Sequence, residues 1–186
     1  LLLLACHPTG GNLPYQPWVD MLQREIDEET WTALPEALRA PLAILVPKLS
    51  GEKEYTLEAI KQPFATHIVF NAIKNLLSIM AEKRPCILFV DDIQWADEAT
   101  SSLIAYLIEN SFFKHENLSL IIASRVEEIS LSTENLLLKA LRDQIELVEM
   151  LRLKTGDISE LAFHLFREKL SPDLSAHLRR ATGGNP

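Results

Sequence analysis

The segment CILFVDDIQWADEAT, Cys86 to Thr100, constrains this chain more than any other. The apolar residues Cys86 to Val90 run straight into the adjacent carboxylates of Asp91 and Asp92. A run so short and so apolar reads as a strand covered on both faces, as central parallel strands are. Asp91 and Asp92 then stand at its carboxyl end, the edge of an open parallel sheet where ligands bind. Two acids at the end of a buried strand are costly unless a cation or a hydrogen-bond donor meets them. A phosphate-bound magnesium ion suits such a pair, since it takes one or two protein carboxylates and fills its remaining positions with water and phosphate oxygens.

The surrounding pattern is that of an α/β protein. Leu1 to Cys6 reads as a buried strand, followed by a breaker-rich loop from His7 to Asn12. Pro17 to Glu28 reads as a helix with Trp18, Met21, Leu22 and Ile26 on one face. Pro35, Pro41 and Pro47 limit residues 30 to 50 to short helices, and Ser50 to Tyr55 is a polar connector. Phe64 to Glu82 carries the clearest helical stripe: Phe64, Ile68, Ala72, Leu76 and Met80, with Ile73 and Leu77 beside it. Pro85 ends that helix before the central strand begins.

Asp97 is a good N-cap for a helix with Ala99, Leu103, Tyr106 and Leu107 facing inward. Leu118 to Ser124 reads as the next strand, so strand, helix and strand form a βαβ unit with parallel strands. That places Ser124 and Arg125 on the same rim as the two acids. Ser132 to Leu141 is expected to be helical and Ile145 to Met150 to be a further strand. Asp157 with Glu160 reads as a capping-box start of a helix carrying Ile158, Leu161, Ala162 and Leu165. Ser171 and Pro172 start another, with Leu174, Leu178 and Ala181 as its stripe and Gly183 as its stop.

Within that frame, ILFVDDIQWADEAT resembles the Walker B segment of P-loop ATPases, and more specifically that of the STAND branch of the AAA+ class. This branch occurs in large bacterial multidomain regulators: LuxR-type activators, adenylate cyclases and hybrid kinases. NLPYQPWVDML, Asn12 to Leu22, resembles the same family, as does TGGNP, Thr182 to Pro186. The resemblance implies a P-loop NTPase-like three-layer α/β/α fold with a mostly parallel sheet, followed by the start of a helical subdomain. The residue pattern changes around Arg152 to Gly156, which divides the chain into a core over 1–152 and the beginning of a helical lid over 153–186. The phosphate-binding pattern G-x-x-x-x-G-K-[ST] does not occur in the sequence, and the resemblance places it upstream of residue 1.

The resemblance also assigns roles. Asp91 would hold Mg2+, directly or through water, and Asp92 would polarise the attacking water. Arg125 matches the polar sensor position near the terminal phosphate, where its fork can grip two oxygens. Gly184 and Pro186 match the element that touches the nucleotide base. Many relatives carry Glu where Asp92 stands, and the shorter side chain suits slow turnover in a switch. The implied partners are ATP, other domains of the same parent chain, and further copies in nucleotide-dependent self-association. The alternative is an interaction scaffold that keeps the fold without hydrolysis. A phosphoacceptor receiver domain fails on position, since it carries its acid pair on the first strand and an acceptor Asp where Ser124 stands here.

Composition narrows the field. The net charge is −8 with no basic block, against a nucleic-acid surface on this segment. No apolar run approaches the roughly 20 residues of a membrane span. Cys6 and Cys86 read as buried free thiols in a reducing cytoplasm. His7, His67, His115, His164 and His177 lack metal-ligand spacing, and no G-x-S-x-G is present. Trp95 reads as a packing residue.

Overall fold

The computed structural model describes residues 1–8, 13–46, 63–114, 117–130 and 146–185. The chain forms two units, Leu1–Gln144 and Ile145–Pro186. In the first, β1 (Leu2–Ala5) is followed by α1 (Gln16–Glu25), α2 (Glu28–Ala33), α3 (Glu36–Leu45) and α4 (Pro63–Lys83). Then come β2 (Cys86–Asp91), α5 (Glu98–Glu109) and β3 (Leu118–Ile122). The second unit holds α6 (Thr155–Phe166) and α7 (Pro172–Thr182).

The three strands form one sheet in the order β1-β2-β3. Both pairings are parallel, with Leu4 opposite Val90 and Val90 opposite Ile122. A parallel sheet with flanking helices fits the expected α/β architecture, and the central strand is the one that leads into the two acids. Leu2, Leu4, Leu88 and Val90 share a core with Trp18, Met21 and Leu22 of α1, Ile73, Leu76 and Leu77 of α4, and Leu103, Ile104 and Leu107 of α5. The expected coverage of β2 holds on one side only. Cys86, Leu88 and Val90 are buried, but Ile87 is 40% exposed and Phe89 is half-buried. Successive strand residues face opposite ways, so Asp91 shares the more open face with Ile87 and Phe89.

Several sequence expectations are corrected. The helix expected over Pro17–Glu28 stops at Glu25, because the Asp27 side chain caps a new helix, accepting from Thr30 N–H at 2.7 Å. α2 and α3 are short, as the prolines indicate, and Pro41 lies buried inside α3 with Leu42, Ala43 and Leu45. Ile68 is 52% exposed, off the stripe assigned to it. A strict four-residue repeat precesses by about 40° per step against a 3.6-residue turn, and burial follows Val69, Ala72, Ile73, Leu76, Leu77 and Met80 instead.

Residues 146–150 form no strand, and Leu147 is 90% exposed; an apolar alternation without a strand beside it has no sheet to join. α6 starts at Thr155 rather than at Asp157, whose carboxylate reaches back to accept from Lys154 N–H at 2.7 Å. In α7 the inward residue is Ser175, while Leu174 and Ala181 are exposed. Ser171 caps α7 with Pro172 at its start, and Gly183 ends it at φ 63°, as the spacing indicates. The expected helix over Ser132–Leu141, the connector at Ser50–Tyr55, most of the His7–Asn12 loop and the side chain of Phe64 lie outside the described residues.

Candidate functional site at the carboxyl rim of the sheet

β2 delivers Asp91 as its last residue, and Asp92 follows in the left-handed region at φ 53°. Aspartate tolerates that conformation better than most residues, and it turns the chain sharply out of the strand. A single 3-10 turn, Ile93–Trp95, follows. The exit is stitched to β3 through main-chain bonds: Ala123 N–H donates to the Val90 carbonyl at 2.8 Å and Ile93 N–H to the Ala123 carbonyl at 3.1 Å. On the other side, Cys6 N–H donates to the Asp91 carbonyl at 3.1 Å. The ends of all three strands are thus locked in register around the two acids.

Asp91 is half-buried, and among the described residues its carboxylate has no hydrogen-bond or ion-pair partner. Asp92 is engaged. Its Oδ1 accepts from Gln94 Nε2 at 2.9 Å and lies 3.8 Å from Arg125 Nε. Arg125 also donates to Glu128 Oε1 at 3.1 Å, and its guanidinium stands 5.3 Å from the centre of the Trp95 ring. These are exposed interactions, each of about 1 kcal/mol or less, so the Arg125 side chain is held weakly. Arg125 thus lies at the rim beside Asp92 and pairs with Glu128. Trp95 packs, as expected, as a half-buried platform.

Asp97 is a cap. Its Oδ1 accepts from Thr100 N–H at 2.9 Å and from Tyr15 N–H at 3.1 Å, and its Oδ2 accepts from the Thr100 hydroxyl at 2.6 Å. The Tyr15 bond escaped the sequence reading because it joins residues 82 apart. Cys6 was missed as a rim residue for the same reason. It is a buried free thiol, and burial, then the charges of Asp97, Asp91 and Asp92, push it up to about 12. The charges of three carboxylates are thus felt at the end of β1. A depression of about 360 Å³ lies against Asp97, lined also by Pro14, Tyr15, Thr66, Phe70 and Ser102 among others, and not by Asp91 or Asp92.

The structure brings Arg125 to Asp92, and Asp91 precedes Asp92 as the last residue of β2. Gly184 belongs to the second unit, where its carbonyl accepts from Leu153 N–H at 2.7 Å and its N–H donates to Thr182 Oγ1 at 3.2 Å. Pro186 lies outside the described residues. Among the described residues no group of three His, Cys, Asp or Glu side chains is placed to hold a metal. A site that relies on one or two carboxylates, water and phosphate oxygens does not need one, and the unpartnered Asp91 carboxylate fits a hard cation of that kind.

A parallel sheet flanked by helices, with a central strand that ends in paired acids, fits the class of P-loop NTPase-like α/β proteins. The AAA ATPase domain family matches residues 2–122, and the chain belongs to that family. The match takes in all three strands and both acids and stops short of Arg125. Members are nucleotide-binding ATPase modules. No curated protein and no solved structure matches the chain. Among the described residues no helix is long and apolar enough to cross a membrane.

Proposed function

We propose that this chain is part of an ATP-binding, slowly hydrolysing switch of the STAND branch, within a cytoplasmic multidomain signalling or transcription regulator. One observation carries the reading: Asp91 and Asp92 end the central parallel strand, and Arg125, at the end of the neighbouring strand, stands 3.8 Å from Asp92. Phosphoryl transfer needs positioning and charge neutralisation more than covalent help. Mg2+ bound to ATP would supply that neutralisation. Asp91, with its carboxylate unpartnered, would hold the ion. Asp92 would orient the water that attacks. Arg125 would leave Glu128 for the terminal phosphate, a small cost given how weakly it is held. Gly184 and Pro186 would meet the nucleotide base. The state of the nucleotide would then set contacts with other domains or further copies.

A non-hydrolysing scaffold is the second reading, in which Asp92 and Arg125 would stay paired with each other whether or not nucleotide is bound. Nucleotide binding and phosphate release by the full-length protein, with and without Asp91→Ala, separate the two. The switch requires Mg2+-dependent binding and a loss of about 100-fold or more in turnover in the variant. Phosphate release that is absent in the unaltered protein, with binding retained, selects the scaffold. Absence of both refutes the nucleotide reading.

A further inference from the structure

One side chain joins the ends of β2 and β3, and the role assignments above leave it out. Gln94 lies in the turn that leaves Asp92. Its Nε2 donates to Asp92 Oδ1 at 2.9 Å. Its Oε1 accepts from Arg125 N–H at 3.2 Å and from the Ser124 hydroxyl at 3.4 Å. The amide can be oriented only one way. A main-chain N–H only donates, so the carboxamide oxygen must face Arg125, and the nitrogen is left to face the carboxylate. The reverse orientation would set donor against donor at Arg125 and acceptor against acceptor at Asp92.

The grip on Asp92 is of a particular kind. Arg125 reaches the same Oδ1 only at 3.8 Å, through a side chain that is 57% exposed and shared with Glu128. Gln94 is two residues from Asp92 and its bond is shorter. If the guanidinium moves away, the Gln94 bond stays. Among the described residues Oδ2 of Asp92 accepts no hydrogen bond, so holding Oδ1 leaves Oδ2 as the oxygen turned toward anything that arrives. The same carboxamide holds the Arg125 main chain, so the guanidinium swings from a fixed base.

We infer that Gln94 is a positioning residue for hydrolysis: it orients Asp92 through Oδ1 and anchors the base of Arg125, so that both present themselves to the terminal phosphate and its attacking water in one geometry. This rests on the ATPase reading above. Gln94 itself touches neither substrate nor water.

The test uses Gln94→Leu and Gln94→Glu in the full-length protein. Leu keeps most of the bulk and removes both polar ends. Glu keeps an acceptor for Arg125 N–H but sets a second carboxylate against Asp92. Amide exchange at Arg125 should accelerate in Gln94→Leu and stay protected in Gln94→Glu, while Ala123, bonded to the Val90 carbonyl, is unchanged in both. Turnover should fall at least about tenfold in both variants, the size of effect seen when an outer partner of a reacting group is lost. The Kd for a fluorescent ATP analogue with Mg2+ should stay within about twofold, because the interaction matters only as the water attacks. Unchanged turnover in a variant whose Arg125 amide has been exposed would overturn the inference and leave the ATPase reading standing. Turnover and affinity falling together with Tm would also overturn it, as general damage. An unaltered protein that releases no phosphate would overturn both.

Discussion

Asp97→Ala is the sharpest test of how the rim is built. The side chain closes three hydrogen bonds, to Thr100 N–H, Thr100 Oγ1 and Tyr15 N–H. Losing an N-cap aspartate costs about 1 kcal/mol. Thr100 is fully buried, and stranding its hydroxyl costs about 1–2 kcal/mol more. The half-buried Tyr15 amide adds about 0.5–1 kcal/mol. Because the three share one carboxylate they do not simply add, and the expected loss is about 3 kcal/mol. For a chain of this size that lowers Tm by about 6–12 °C. Trp18, Trp31 and Trp95 all lie in the first unit, so tryptophan fluorescence during urea denaturation reports the unit that carries the change. Asp97→Asn keeps an acceptor oxygen for both amides, and the Thr100 hydroxyl can turn to accept from the new NH2 group. It should therefore recover all but about 1 kcal/mol. If the Asn variant is as unstable as the Ala variant, charge rather than acceptor geometry matters at this position and the capping account fails.

Two further outcomes follow from other parts of the molecule. The Cys6 thiol ionises near 9 in an unfolded chain but is pushed up to about 12 in the fold by burial and then by Asp97, Asp91 and Asp92. Between those values the unfolded state binds fewer protons, so stability falls as pH rises, and it is unaffected by this group below pH 9. Tyr15, raised by burial and Asp97, acts in the same direction. Urea midpoints across the alkaline range should decline less steeply in Cys6→Ala; an identical slope would remove Cys6 from the account. In the second unit, Gly184 has φ 79° and an added Cβ would stand 2.7 Å from the Leu153 carbonyl oxygen, while Gly183 at φ 63° would meet only the flexible Arg152 Nη1 at 3.0 Å. Gly184→Ala should cost about 2–3 kcal/mol and Gly183→Ala about 1 kcal/mol, and only the former should unprotect the Leu153 amide in hydrogen exchange; equal effects would contradict the close approach.

The glycine contact bears on the nucleotide assignment of Gly184. Its N–H is engaged within its own unit and its carbonyl already accepts one hydrogen bond there, so contact with a base would use the CH2 or the second lone pair of the carbonyl. The proposal for this residue is tested apart from the acids, by comparing purine analogues in binding to Gly184→Ala once its fold has been verified.

The central strand, the two acids at its end, the Asp97 cap and the Ser171–Pro172 start were all legible along the chain, because each depends on residues within one turn or one strand of each other. An apolar run ending in charge places its own end, and an N-cap reaches only three residues. Where local preferences compete, the same reading faltered. Asp27 restarts a helix that the apolar spacing continued, and Ile68 leaves a stripe that a four-residue count put it on. The residues that hold the rim together join positions far apart in the chain. Gln94 reaches Arg125, Tyr15 reaches Asp97, and Cys6 N–H reaches the Asp91 carbonyl, more than eighty residues away. Such bonds leave no periodicity behind. They exist because parallel pairing brings the ends of β1, β2 and β3 side by side, and that alignment comes from folding the chain back on itself rather than from any local preference along it.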